Sequence, residues 1–186
     1  MSYEYECYDQ HIKKTIAFKK VTYEDCDLLH NWMNEEHVYP FWNLNLSLKK
    51  YQEHLKEALA DQHQTLYLGY LDGQVMSYWE TYWVKGDVVE NTYSSSSYDQ
   101  GVHLLLGEKA FLGKGYSLPL LRAMIHFQFQ VADTMKIIAE PDIRNEKMIH
   151  VFKKCGFTPI HPISLPDKTG LLMFCERNEF EKRWLG

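Results

Sequence analysis

The 186-residue chain has no excess of positive charge: its formal net charge is −5 at pH 7. No global field exists to hold a polyanion, and no nucleic-acid partner is expected. Cys7, Cys26, Cys155 and Cys175 show no CxxC spacing and no accompanying histidine pair. That argues against a zinc site and a disulfide framework; the cysteines read as reduced thiols, and no metal is expected. Also missing is any apolar run of membrane-spanning length, and the polar opening MSYEYECYDQ has neither the basic start nor the apolar stretch of a signal peptide. The expectation is a cytoplasmic protein without membrane contact. Internal repeats and linkers are lacking, and the one biased tract is the serine run Ser94 to Ser97. What remains is an ordinary globular composition, 45% hydrophobic and 24% charged, in a length that suits one domain over residues 1–186, with 1–11 as an extended N-terminal tail. Aromatic residues reach 15%, which serves either a pocket lining or an aromatic core.

Residues 12–21 alternate loosely and read as a strand, after which Thr22 can cap a helix through Leu28, Leu29, Trp32 and Met33. An aromatic loop, His37 to Trp42, leads to Ser47, a second N-cap, with Leu48, Tyr51, Leu55 and Leu59 following at helical spacing. Asp72-Gly73 between two β-rich runs predicts a tight hairpin. GVHLLLGE, Gly101 to Glu108, reads as a buried strand, then the turn FLGKGY opens a long amphipathic helix. A strand at 136–140, a break at Pro141-Asp142, a helix stopped by Gly156 and two last strands around 157–165 and 171–176 complete the order β-α-α-β-β-β-α-β-α-β-β. That order predicts an α+β protein, a mixed sheet with helices layered on it.

The glycine turn carries the first chemical signal. Glycines before a helix let a phosphate approach main-chain amides, and Lys114 between Gly113 and Gly115 adds positive charge. Two glycines alone serve a tight turn equally well; the strand-turn-helix context is what favours a ligand. FLGKGY in this setting resembles the glycine turn of the GNAT acyltransferases, which implies coenzyme A diphosphate at Gly113, Lys114, Gly115 and Tyr116, and a largely antiparallel sheet, helices on both faces, splayed between the fourth and fifth strands. The usual pattern has Gln or Arg three residues before the first glycine; this chain has Ala110.

Three further segments, EEHVYPFW, DQGVHLLLGE and EPDIRNEKMIHVFKKCGF with LPDKTGLLMFCER, are together similar to the siderophore-assembly branch of that superfamily, the hydroxylysine N-acyltransferases of aerobactin and mycobactin biosynthesis. The resemblance covers residues 12–180. It implies transfer of an acyl group, acetyl being expected, from coenzyme A to a hydroxylamine such as N6-hydroxylysine or a hydroxylated diamine. It assigns catalytic or positioning roles to His103 and Asp142. Strands ending at one sheet edge bring such residues together, so the pair is expected to share a proton, with Asp142 as base and His103 assisting. By the same resemblance the amides of Leu105 and Leu106 bind the thioester oxygen and Asn145 meets the pantetheine arm. Tyr78, Glu80 and Tyr82 alternate onto one strand face as an acceptor site, with His37 and Trp42 closing it. Each residue also has a plain structural role: a core histidine, an Asp or Asn helix cap, strand-packing tyrosines. Phe152 stands where many GNAT enzymes carry a proton-donating tyrosine, and phenylalanine cannot donate. Two rival readings follow: an aminoglycoside 6'-type amine acetyltransferase, and a catalytically silent acyl-CoA-binding subunit. The sequence carries no signature of oligomeric state.

Overall fold

A computed structural model describes residues 2–186. Eight strands form one sheet in the order β1-β2-β3-β4-β5-β6-β8-β7. They are β1 (Tyr5–Asp9), β2 (Lys14–Lys20), β3 (Gln64–Leu71), β4 (Gln74–Trp83), β5 (Gln100–Leu106), β6 (Lys136–Ala139), β7 (Thr158–Ser164) and β8 (Thr169–Glu176). The helices are α1 (Cys26–Met33), α2 (Tyr39–Trp42), α3 (Leu48–Ala60), α4 (Ser117–Gln128), α5 (Glu146–Cys155) and α6 (Arg177–Trp184). The expected mixed, largely antiparallel α+β sheet is therefore present: β1/β2, β2/β3, β6/β8 and β7/β8 are antiparallel, and β5/β6 is parallel. Parallel registration of β5 with β6 is confined to Gln100↔Ile137 and Gly101↔Ile138. β6 ends one residue after the second of these pairs, at Ala139.

Contacts group the chain into two compact units. One comprises residues up to Glu80 together with Leu104–Tyr116. Its core joins Leu29, Trp32 and Met33 of α1 and Tyr51 and Leu55 of α3 to Leu66, Leu68, Tyr78 and Leu105 of the strands. These are the helical-spaced and strand-alternating apolar positions of the sequence, and burying them is what fixes the helices. The hairpin turn has Asp72 at φ 49° and Gly73 at φ 77°, the type I′ conformation whose twist matches two antiparallel strands. The other unit comprises Thr81–His103 and Ser117–Gly186. It buries Leu120, Leu121, Met124 and Ile125 of α4, and a second cluster of Tyr82, Val84, Ile138, Ile163 and Leu172.

Three local expectations need correction. The N-terminal tail includes an edge strand, β1, paired from Tyr5↔Phe18 to Asp9↔Lys14. The Asp9 carboxylate accepts from the amides of His11 and Ile12 at 2.9 and 3.2 Å and closes the turn between these strands. The aromatic loop contains a single helical turn, α2, started near Pro40 and stopped by Asn43 in the left-handed region at φ 54°. The chain ends in a helix that periodicity did not announce, since α6 buries only Phe180. Arg177 anchors it by donating to the carbonyls of Phe129, Val131 and Thr134 at 2.7, 2.7 and 2.9 Å.

Candidate active site

The second unit holds a hydrogen-bonded chain of three side chains. Glu140 follows β6 directly and is only 3% exposed. One of its oxygens meets His103 Nε2, on β5, in a short contact; the other accepts from Tyr82 Oη, on β4, at 2.6 Å. The Tyr82 and His103 rings lie 5.0 Å apart between centroids. Burial pushes the Glu140 carboxyl upward, yet His103, then Lys168 and the Tyr82 hydroxyl, outweigh it and hold the group below its ordinary value. Glu140 is therefore an anion at neutral pH. Burial and then Glu140 raise the Tyr82 phenol far above its usual value, so Tyr82 stays a donor. An anionic acceptor at Nε2 demands a proton there, which leaves the lone pair of neutral His103 on Nδ1.

This corrects the expected pairing. His103 is bound to Glu140, not to Asp142. Asp142, 6% exposed, accepts from Arg144 instead: the amide at 2.9 Å, Nε at 3.0 Å and Nη2 at 2.7 Å. The Arg144 hydrogen bond is the chief reason that the Asp142 carboxyl lies below its ordinary value, with burial opposing. A depressed carboxylate adds stability above its unfolded value and loses it as pH falls through the folded one. Asp142→Asn is accordingly expected to lower stability at pH 7 and to flatten the loss on acidification below about pH 4. Urea unfolding across pH checks this; parallel curves for the two proteins would refute it.

The first unit holds most of the expected acceptor residues. Tyr78 donates to Glu80 at 2.9 Å, and its ring lies 5.5 Å from that of Trp42. Tyr51, a core residue of α3, has its phenol raised by burial and then by the Glu80 carboxylate. His37 donates through Nε2 to the Leu106 carbonyl at 2.7 Å, which ties the aromatic segment to the end of β5. Leu105 is buried and Leu106 half-buried. Tyr82 belongs to the other unit, with Glu140.

Gly113 and Gly115 have φ values of 71° and 76°, the region that favours glycine, and nothing lies within 4 Å of where a Cβ would stand. Gly113, Lys114 and Gly115 are exposed at the turn before α4. Asn145 acts as N-cap of α5, accepting from the Met148 amide at 3.2 Å. Phe152 is buried edge-to-face on Phe157 and is a core residue. Among the described residues no group of three or more His, Cys, Asp or Glu is placed to hold a metal.

A family model described as Acetyltransferase (GNAT) domain matches residues 22–165. The chain belongs to this GNAT family. An N-hydroxyputrescine acetyltransferase of Acinetobacter baumannii is 31% identical over 84% of this GNAT chain and 75% of that protein. An N(5)-hydroxyornithine:cis-anhydromevalonyl coenzyme A-N(5)-transacylase of Beauveria bassiana is 30% identical over 91% of this chain, which spans only 38% of that longer protein. Among solved structures, an uncharacterized protein from Bacillus halodurans superposes with a TM-score of 0.96 at 54% identity, covering 97% of this chain and 94% of that one. Aminoglycoside acetyltransferase AAC(6')-Ib in complex with coenzyme A superposes with a TM-score of 0.82 at 26% identity, over 90% and 98% of the two chains. No helix of this GNAT chain is long and apolar enough to cross a membrane among the described residues.

Proposed function

We propose that this GNAT protein is an acyl-CoA-dependent N-acyltransferase whose acceptor is a small N-hydroxyamine, such as N6-hydroxylysine or an N-hydroxydiamine, in hydroxamate siderophore biosynthesis. The observation that carries the catalytic reading is the Tyr82–Glu140–His103 chain; the acceptor class rests on the names of the hydroxyamine-acylating relatives.

A hydroxylamine nitrogen is far less basic than an alkylamine and arrives largely uncharged, so the base has one proton to remove as the N–C bond forms. His103 Nδ1 takes that proton. Glu140 holds the ring and offsets the imidazolium charge, while Tyr82 keeps Glu140 in place. Acyl-CoA supplies the thioester whose C–S bond breaks, and Gly113, Lys114, Gly115 and Tyr116 would hold its diphosphate, with Asn145 beside the pantetheine arm. The departing thiolate is protonated by water or by His103, since Phe152 offers no proton. Glu80, with Tyr78 and Trp42 beside it, suits a substrate ammonium, an anion set next to aromatic side chains. His37 holds the aromatic segment that carries Trp42.

A second reading, an aminoglycoside-type amine acceptor, draws on the likeness to AAC(6')-Ib. An acceptor panel separates the two. Acetyl-CoA with N6-hydroxylysine, N-hydroxycadaverine, lysine, cadaverine and kanamycin is expected to release thiol at least about 10-fold faster with the hydroxylamines than with their parent amines, because an uncharged nucleophile is available at pH 7. Faster turnover of kanamycin would move the assignment to the second reading. Acyl-CoA binding without thiol release from any acceptor would leave a silent subunit.

A further inference from the structure

We propose that Gln128 is a positioning residue for the reaction: its side-chain amide grips the carbonyl of Gly101, the glycine on which the Tyr82 ring rests, and so keeps Tyr82 on Glu140. This rests on the catalytic reading of the Tyr82–Glu140–His103 chain. Gln128, the last residue of α4, donates through Nε2 to Gly101 O at 3.0 Å and to Gln100 Oε1 at 3.3 Å. Gln100 answers through its own Nε2, which donates to Gln128 O at 3.3 Å and to Thr134 Oγ1 at 2.8 Å. The Thr134 hydroxyl in turn donates to the Tyr98 carbonyl at 2.9 Å. All three side chains are buried, and each N–H and O–H they carry has an acceptor.

One atom is left over. Among the described residues, Gln128 Oε1 is the buried side-chain oxygen with no hydrogen-bond partner. Such an atom carries a desolvation penalty. Turning the amide over would not relieve it, because Oε1 would then face two acceptors, Gly101 O and Gln100 Oε1. The Gly101 carbonyl therefore dictates how the amide lies. An apolar side chain at 128 would remove the orphan oxygen and would also take this donor from Gly101 O. A network that keeps the donor and leaves its own acceptor unmatched breaks a local rule, as functional sites do.

The gripped peptide is well placed to matter. Gln100↔Ile137 and Gly101↔Ile138 are the pairs that register β5 on β6. His103 lies two positions beyond Gly101 and Glu140 two beyond Ile138, so each shares the face of its predecessor. A Cβ at Gly101 would stand 2.0 Å from Tyr82 Cζ, which puts the ring directly on the glycine. Gln100 alternates with Gly101 and faces the opposite side of the sheet, so the buried amides and the catalytic chain meet through the main chain of residue 101. Tilting that peptide moves the seat of the ring, and the 2.6 Å bond from Tyr82 Oη to Glu140 has little slack.

The test is a double-mutant cycle of Gln128→Met, which keeps the shape and removes the donor, with Tyr82→Phe. Thiol release from acetyl-CoA is followed with whichever of N6-hydroxylysine, N-hydroxycadaverine and kanamycin the wild type turns over fastest. Each single variant is expected to lower kcat by about 10-fold, with both KM values within about 2-fold of wild type. The double variant should lose about 10- to 20-fold rather than the roughly 100-fold of independent effects, because Gln128 acts through Tyr82. A merely structural glutamine would lower Tm and leave kcat of the folded enzyme near wild type, or would add its loss in full to that of Tyr82→Phe; either result would overturn the inference while the catalytic reading stands. A Tyr82→Phe variant with wild-type kcat, or a wild type that turns over no acceptor, would overturn both. Should Gln128→Met not fold, Thr134→Val takes its place in the cycle: it frees Gln100, and through it Gln128, and should cost about 3-fold in kcat alone and little beyond Tyr82→Phe. Full additivity there would overturn the inference equally.

Discussion

Glu140→Gln is expected to lower kcat by about 100-fold or more with little change in the KM of either substrate, the scale of a lost general-base arrangement. Glutamine preserves size and can still meet Tyr82, but it carries no charge to offset an imidazolium at His103. Its amide can also present N–H groups to Nε2, which would favour the tautomer with the lone pair on the wrong nitrogen. Two readouts separate this from a packing defect. The acid limb of the kcat/KM profile should move to lower pH, because the imidazolium loses its counter-charge, and thermal stability should fall less than activity. His103→Ala should lose activity to a similar extent, and the double variant little more, since the two residues act as a unit. An unmoved pH profile with near wild-type thiol release in Glu140→Gln would remove the mechanism.

The second large effect comes from a residue with no chemistry of its own. A Cβ added at Gly101 would lie 2.0 Å from Tyr82 Cζ and 2.3 Å from its hydroxyl oxygen. No real contact is that short, and the obstacle is a fully packed ring rather than a flexible side-chain end. Gly101→Ala is therefore expected to cost about 1–3 kcal/mol through overpacking, which for a chain of this size lowers Tm by roughly 2–12 °C. Activity should fall as well, because a displaced Tyr82 loses its 2.6 Å bond to Glu140. Tyr82→Ala in the same background should be less damaging to Tm than the sum of the single changes, the sign of a shared steric conflict. A wild-type melting temperature for Gly101→Ala would show that the ring has room to yield.

Much of the fold could be read from periodicity because burial obeys it. The α1 and α3 stripes, the Asp72-Gly73 hairpin and the strand-turn-helix around Gly113 appear where spacing placed them. The exceptions were elements whose stability comes from particular bonds: β1 held through the Asp9 turn, and α6 held by Arg177 on carbonyls far away in sequence. The site was partly visible. His103 and the acidic Pro-Asp segment stood out, but Glu140 and Asp142 are two residues apart, and on extended chain such positions point the same way. Which of them meets His103 depends on where β6 ends and how the chain turns at Pro141. The register of β5 on β6, Gln100 with Ile137 and Gly101 with Ile138, sets that geometry.

By itself, then, the sequence determined the order of the elements from β2 to β8 apart from α2, the glycine-bordered turn before α4, and the set of titratable groups near the end of β6, because those follow from local spacing and residue chemistry. Only the tertiary structure decided the partners: Glu140 for His103, Arg144 for Asp142, Gly101 beneath the Tyr82 ring. The first joins residues 37 positions apart and chooses between two carboxylates of equal parity, the last depends on the register of β4 against β5, and both are set by strand register and close packing, which no local pattern records.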